Sequence, residues 1–250
     1  MSLVRAGFGL AGRSKLSTLA PMPRARLVRL VLVAVTLGAA VPGCGEAGEV
    51  IDRADLVNDL ASRLDASGAL TYSADYLLPE GRTATIAQAQ SPLRSAYVYP
   101  EGKLTVTDEA TADCRRAGAT TTCTLTEPPT PNNEPAVAAF RDAGAHGLIA
   151  PTVVIRLLTT ASLETAAAIE QSGTTIAGRP ATCVEVRGIR DAAASAFDAC
   201  ITIDGVLGSF AGLVNGSEVD IAMTRYRDKA DPDAFTLPTG AKIVDKRPAG

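Results

Sequence analysis

Four cysteines stand where two short hairpins would bring them face to face, and this commits much of the chain to an antiparallel sheet. Between Cys114 and Cys123 lies Gly118-Ala119, glycine first, which suits a two-residue type II′ turn and a register that sets Cys114 directly opposite Cys123. The second pair spans 181–188 and 197–204. There Val184 and Val186 share one face, and Cys183, Glu185 and Arg187 the other. On the return strand Phe197, Ala199, Ile201 and Ile203 face one way, and Asp198, Cys200 and Thr202 the other. Both cysteines fall on the polar face, as one bridge requires. Each closed loop is short, so the chain-entropy model gives roughly 3 kcal/mol per bridge. A zinc site made from all four cysteines is the alternative, but CxxC spacing is missing.

The rest of the chain has the same hairpin rhythm. A helix over 54–66 carries Leu56, Leu60 and Leu64 on one stripe with Val57 beside them, closed by Gly68. Strands are expected over 70–78, 82–90, 94–99 and 103–107, then the Cys114/Cys123 hairpin, separated by Pro79-Glu80-Gly81, Ser91-Pro92 and Pro100-Glu101-Gly102. A Pro- and Asn-rich loop over 127–135 interrupts this meander. Pro135 opens a helix to about Asp142, broken by Gly144 and Gly147, and Pro151 starts another through Ala161 with Val153, Val154, Leu157 and Leu158 as its apolar stripe. Strands follow over 166–171, 181–188, 197–204, 207–214 and 217–227, the last two flanking the hairpin signal Asn215-Gly216. Ala234 to Pro238 reads as one more edge strand. The fold class expected is α+β: a strongly curved antiparallel sheet of about 11 strands that must curl or split. An N-terminal helix and a central helical insert would cover its concave face. Two separate small domains are the alternative.

The beginning of the chain bears on compartment. Six basic residues and no acidic ones precede an apolar run over 30–40, which is shorter than the about 20 residues a membrane span needs. The run ends at Val41-Pro42-Gly43-Cys44, which resembles the lipobox of bacterial lipoproteins. Val41 and Gly43 match that pattern, while Pro42 departs from the usual small residue. The resemblance implies that residues 1–43, or those from Met22, are a signal peptide. It also implies that Cys44 carries acyl chains such as palmitate, anchoring the protein to the membrane. Residues 44–49 would be a short linker, 50–240 one domain and 241–250 a tail. Beyond residue 43 there remain 18 basic and 27 acidic residues, a net charge of −9, which disfavours a nucleic-acid partner. Tryptophan is absent and aromatics are 4% of the chain, so the core must be aliphatic.

Signals for catalysis are few. His146 is the only histidine and falls in a Gly-rich interruption, the place of a loop or cap residue. No G-x-S-x-G elbow, H-E-x-x-H or P-loop occurs. The G-x-G-x-x-G at 7–12 lies in the leader with no strand before it. Asp228, Asp231 and Asp233 lack the spacing and closing glutamate of a calcium loop. The expectation is therefore a protein that is not an enzyme and uses no cofactor or metal.

The order of an N-terminal helix, a long meander, a helical insert, further hairpins and Phe235-Thr236-Leu237-Pro238 with Gly240 resembles the half-barrel lipoprotein-carrier superfamily. Its nearer kin would be the mycobacterial surface lipoproteins that shuttle acylated lipids. That resemblance implies an apolar cavity between sheet and helices, and a cargo of acyl lipid or lipid-modified protein. The residues placed at such a cavity are Tyr97, Tyr99, Leu104 and Val106 of the first meander and Val154, Leu157 and Leu158 of the lid. The alternative is an envelope sensor or interaction module that binds a protein partner, as related half-barrel regulators of stress proteases do.

Overall fold

The computed structural model describes residues 45 to 129 and 140 to 248. Helix α1 (Gly45–Ala66) leads into β1 (Tyr72–Leu77), β2 (Thr83–Gln90), β3 (Leu93–Tyr99), β4 (Gly102–Val106), β5 (Thr111–Ala117) and β6 (Thr120–Thr126). After α2 (Arg141–Ala145) and α3 (Pro151–Leu163) come β7 (Ala168–Ile176), β8 (Arg179–Arg187), β9 (Ala196–Thr202), β10 (Leu207–Val214), β11 (Ser217–Arg227) and β12 (Lys242–Asp245). All strands belong to one curved, unclosed 12-stranded sheet of order β12-β6-β5-β4-β3-β2-β1-β11-β10-β9-β8-β7. It is two meanders joined where β1 pairs with β11. Every neighbouring pair is antiparallel except β12, which runs parallel to β6. The fold class is the α+β arrangement expected.

Alternation along the strands creates a single inner face. Tyr72, Ala74 and Tyr76 of β1, Val184 and Val186 of β8, and Phe197, Ala199 and Ile201 of β9 point toward Val57, Leu60 and Leu64 of α1 and Val154, Leu157 and Leu158 of α3. Each fully buried side chain of this size contributes about 1.5–3 kcal/mol. The buried phenol of Tyr76, kept neutral because burial pushes its pKa well up, donates to the Leu207 carbonyl at 2.7 Å. Curvature carries the tip of the β7–β8 hairpin over β11, where the Arg179 guanidinium lies 3.7 Å from the Tyr226 ring centroid and pairs with Asp204.

Both expected disulfides are present, Cys114 to Cys123 and Cys183 to Cys200, each between residues directly opposite in register. Cys44 lies outside the described residues. On the outer face, the chain after β11 crosses the first meander. Phe235 packs on Ala87, Ala89 and Ala96, the Arg94 guanidinium stacks 4.5 Å from its ring, and Lys103 Nζ donates to the Thr236 carbonyl at 2.6 Å.

Several local expectations change. The helix expected over 54–66 begins already at Gly45, in the segment expected to be a linker, and most of the helix expected from Pro135 lies outside the described residues. Ala234 to Pro238 is not a strand: Pro232 and Pro238 cannot donate to a ladder, and residues Pro232–Phe235 form a 3-10 turn capped by Asp231. The last strand is instead β12, in the segment expected to be a tail. Gly144 does not interrupt α2 but lies within it; the helix ends at Ala145, and Gly147, whose φ is 89°, turns the chain just beyond the cap. The edge strand β7 runs on to Ile176 because Ala177 and Gly178 have φ of 49° and 78°, a type I′ hairpin turn without the usual Asn-Gly signature. Ile203 is 68% exposed, because β9 ends at Thr202, whose hydroxyl bonds the backbone of Val206 and turns the chain. In that turn Gly205 has φ of 82°, and a Cβ on it would lie 2.2 Å from the Arg63 carbonyl oxygen, so glycine is what lets the loop seat against the end of α1.

One ion pair joins the two meanders at their seam. Arg227 of β11 forks onto Asp75 of β1 at 2.8 and 2.9 Å, and Thr85 donates to the same carboxylate. Hydrogen bonds from Arg227 are the main cause holding the Asp75 carboxyl below the usual carboxylate range. A folded-state pKa below the unfolded one means that the pair stabilises the fold above the unfolded value and ceases to do so as pH falls through the folded value. Thermal melts of wild type and Asp75→Asn should therefore differ at neutral pH and converge as pH drops below the ordinary carboxylate value of 3.8. A difference that persists or widens in acid would contradict this pairing.

Candidate functional site

The seven residues expected at a cavity are all buried. Tyr97, Tyr99, Leu104, Val106, Val154, Leu157 and Leu158 are each at most 8% exposed and belong to one continuous cluster. Leu157 and Leu158 hold α3 against the sheet, so a charge placed on either would destabilise the fold. Of the seven, Leu104 reaches an open trough along β4 to β6, lined otherwise by polar groups such as Asp113, Arg115, Thr122, Thr124 and Lys246. Tyr99 borders a second surface hollow at the β3–β4 turn. The remaining five border neither of these hollows nor the cleft between α2 and the β10–β11 hairpin.

Open apolar space lies instead at the surface, in a cleft of about 470 Å³ between the α2–α3 connection and the β10–β11 hairpin. One wall is Leu148, Ile149, Ala150 and Val153; the other is Val214 and Val219. Phe140 closes the inner end and stacks edge-on against Tyr97, their centroids 4.9 Å apart. Arg141, Asn215 and Ser217 supply polar groups at the rim, and among the described residues Arg141 makes no ion pair. Ala145, exposed on α2, overlooks the opening. Two sequence signals bear on this place: the Asn215-Gly216 turn, which sets the hairpin wall, and Val153 on the α3 stripe. The contribution of Leu148 and Ile149 follows no periodic pattern.

On its other flank α2 anchors an ionic cluster. Arg115 of β5 bridges Asp113 at 2.8 Å and Asp142 of α2. His146 caps α2, its backbone N–H donating to the Asp142 and Ala143 carbonyls and its Nδ1 lying 2.8 Å from the Asp142 carbonyl. The Tyr99 ring stacks 5.5 Å from the His146 ring. Burial first, then the carboxylates of Asp113 and Asp142, push the Tyr99 phenol up to about 12, so it is a neutral packing group at physiological pH. The chain closes tightly here, since a Cβ on Gly102 would lie 2.0 Å from the Tyr99 ring. His146 and Arg115 are thus engaged in holding α2 in place. Among the described residues, no cluster of His, Cys, Asp or Glu could hold a metal, and no helix is long and apolar enough to cross a membrane.

Among solved structures the chain is similar to MucB, at 15% identity and a TM-score of 0.44 over 76% of this chain and 66% of that one. It is similar also to MucB in complex with MucA(peri), at 15% identity and 0.41 over 75% and 61%. A third likeness is to an uncharacterized conserved protein from Thermus thermophilus, at 9% identity and 0.42 over 76% and 99%. At these values the likeness is one of fold, and the chain spans less than two thirds of the length of either MucB chain. No protein-family model matches the chain, and no curated protein matches it.

The packing of Tyr99 over Gly102 is directly testable. Gly102→Ala should destabilise the protein by about 1–3 kcal/mol, the usual cost of overpacking a tight contact, measured as a lower urea midpoint. An unchanged midpoint would mean that the ring does not lie across this strand pair.

Proposed function

We propose that this protein is an extracytoplasmic interaction module, moored to the membrane by a lipid on Cys44, which binds a segment of another protein in the cleft beside α2 without covalent chemistry. The observation that carries this reading is an open apolar cleft with a polar rim at the surface, while the side chains that face the helices are buried. An acyl chain makes no directed bonds and asks for dry, enclosed volume. A protein segment can instead bury one or two apolar side chains between Ile149 and Val219 while its backbone meets Asn215 and Ser217. Arg141, unpaired at the rim among the described residues, favours an acidic residue beside the apolar anchor. The two disulfides support a compartment where thiols are oxidised.

A photoreactive amino acid in place of Ala145, exposed at the cleft, tests the site in cells. The expected product is a protein adduct of discrete mass that does not form from the same group at Asp220, which is exposed on β11. Adducts to lipid alone, or equal labelling from both positions, would overturn the reading and restore lipid carriage. For the anchor, Cys44→Ser should move the protein from the membrane to the soluble fraction. Retention at the membrane would remove lipidation from the proposal.

A further inference from the structure

The two edges of the sheet are not equivalent. Strand β12 is four residues long, with Lys242 and Lys246 at its ends and Pro238 and Pro248 nearby, the usual guards against further pairing. Strand β7 is nine residues long and pairs with β8 without a bulge from Ala168↔Arg187 to Ile176↔Arg179. It contains no proline or lysine, and residues 170–175 are exposed.

The phase of its hydrogen bonds follows from the neighbouring disulfide. Cys183 and Cys200 are directly opposite with Cα atoms 3.9 Å apart, which marks a pair that does not exchange hydrogen bonds. The backbone of Cys183 therefore turns toward β7 and bonds Ser172. The same phase sends the Pro180 carbonyl the other way, where it accepts from Ile203 N–H at 2.9 Å. Along β7, Ser172 and its alternates are thus spent on β8, and the N–H and C=O groups of Ile169, Gln171, Gly173 and Thr175 point outward.

Charge defines what would pair there. Glu170 stands opposite Glu185, and Glu185 opposite Asp198, a row of carboxylates across three strands. Arg187 bonds Glu185 and Asp198 at 2.9 and 3.1 Å, whereas Glu170 makes no ion pair among the described residues. Like charges directly opposite are unfavourable, and a cation on the open side of Glu170 offsets this. Toward an added strand, Glu170 sits in the close, non-hydrogen-bonded type of pair, where side chains approach most. We infer that the β7 edge takes up an extended polypeptide segment as an added strand, with a lysine or arginine opposite Glu170. A second copy of this chain fits less well, because a two-fold pairing centred on Ser172 sets Glu170 against Thr174. This surface is separate from the cleft and does not rest on it.

The test uses the purified protein and two short peptides of alternating threonine and valine, one with a central lysine and one with a central glutamate. In the free protein, amide exchange should be fast at Gln171, Gly173 and Thr175 and slow at Ser172 and Thr174. The lysine peptide should slow the first set and bind about threefold tighter than the glutamate peptide, the size of a cross-strand ion pair. Glu170→Lys should reverse that preference. Gly173→Pro removes an outward N–H without touching the β8 ladder, and should abolish binding of both peptides with the melting temperature kept. Thr175→Pro serves the same purpose if the first variant fails to fold. Uniform slow exchange along β7, or peptide binding that survives both proline variants, would overturn the inference. So would a dimer seen by sedimentation that Gly173→Pro dissolves, which would give the edge to a second copy.

Discussion

Apolar side chains from both meanders press α1 and α3 against the inner face of the sheet, and the remaining properties of the molecule follow from that burial. The core is mostly Val, Ile, Leu and Ala with a few tyrosines and phenylalanines. It has no directional chemistry beyond a few hydrogen bonds such as that from Tyr76 to the Leu207 carbonyl. Such a core tolerates few voids, because an empty pocket forfeits both transfer energy and dispersion contacts. Once both helices are seated, these side chains are buried against one another. The proposed binding surfaces lie where burial stops: the gap between the short α2 and the β10–β11 hairpin, and the β7 edge.

The outer face carries a different set of devices. Both disulfides, the Asp75–Arg227 pair and the segment around Phe235 lie there, away from the helices. They clip neighbouring strands across the seam between the meanders and across the hairpins, which leaves the inner face free to follow the helices. The crossing segment also supplies β12 at one edge of the sheet, while among the described residues no strand pairs with the other edge, β7.

Much of this was legible in the residues. The strands of the second meander read almost to the residue where a strong turn followed, as with 207–214 and 217–227 around Asn215-Gly216. Disulfide pairing was legible because it depends only on local register. The long arm of β7 was not, because Ser172 to Thr175 are polar and exposed on both faces and so carry no alternation, and Ala177-Gly178 is an unusual type I′ turn. Nor was the last strand, since β12 owes its place to a crossing that packs Phe235 on three alanines from distant strands. Whether the predicted site residues face open space was not legible for a related reason. A stripe such as Val154, Leu157 and Leu158 announces burial, but whether the partner across from it is a void or another side chain is decided by tertiary packing. The cleft that does stay open is made largely of residues in an irregular connection, where periodicity has nothing to say.

Ligands are proposed to meet this fold at its surface, with hydrocarbon kept out from between the helices and the sheet. A paramagnetically labelled fatty acid titrated into the protein, with methyl resonances followed by nuclear magnetic resonance, tests this claim most directly. The methyl groups of Val154, Leu157 and Leu158 should keep their line widths, with any broadening confined to Val153, Val214 and Val219 at the cleft. Broadening of the Leu157 and Leu158 methyls in a folded protein would show that the helices lift to admit a chain, and would contradict the claim.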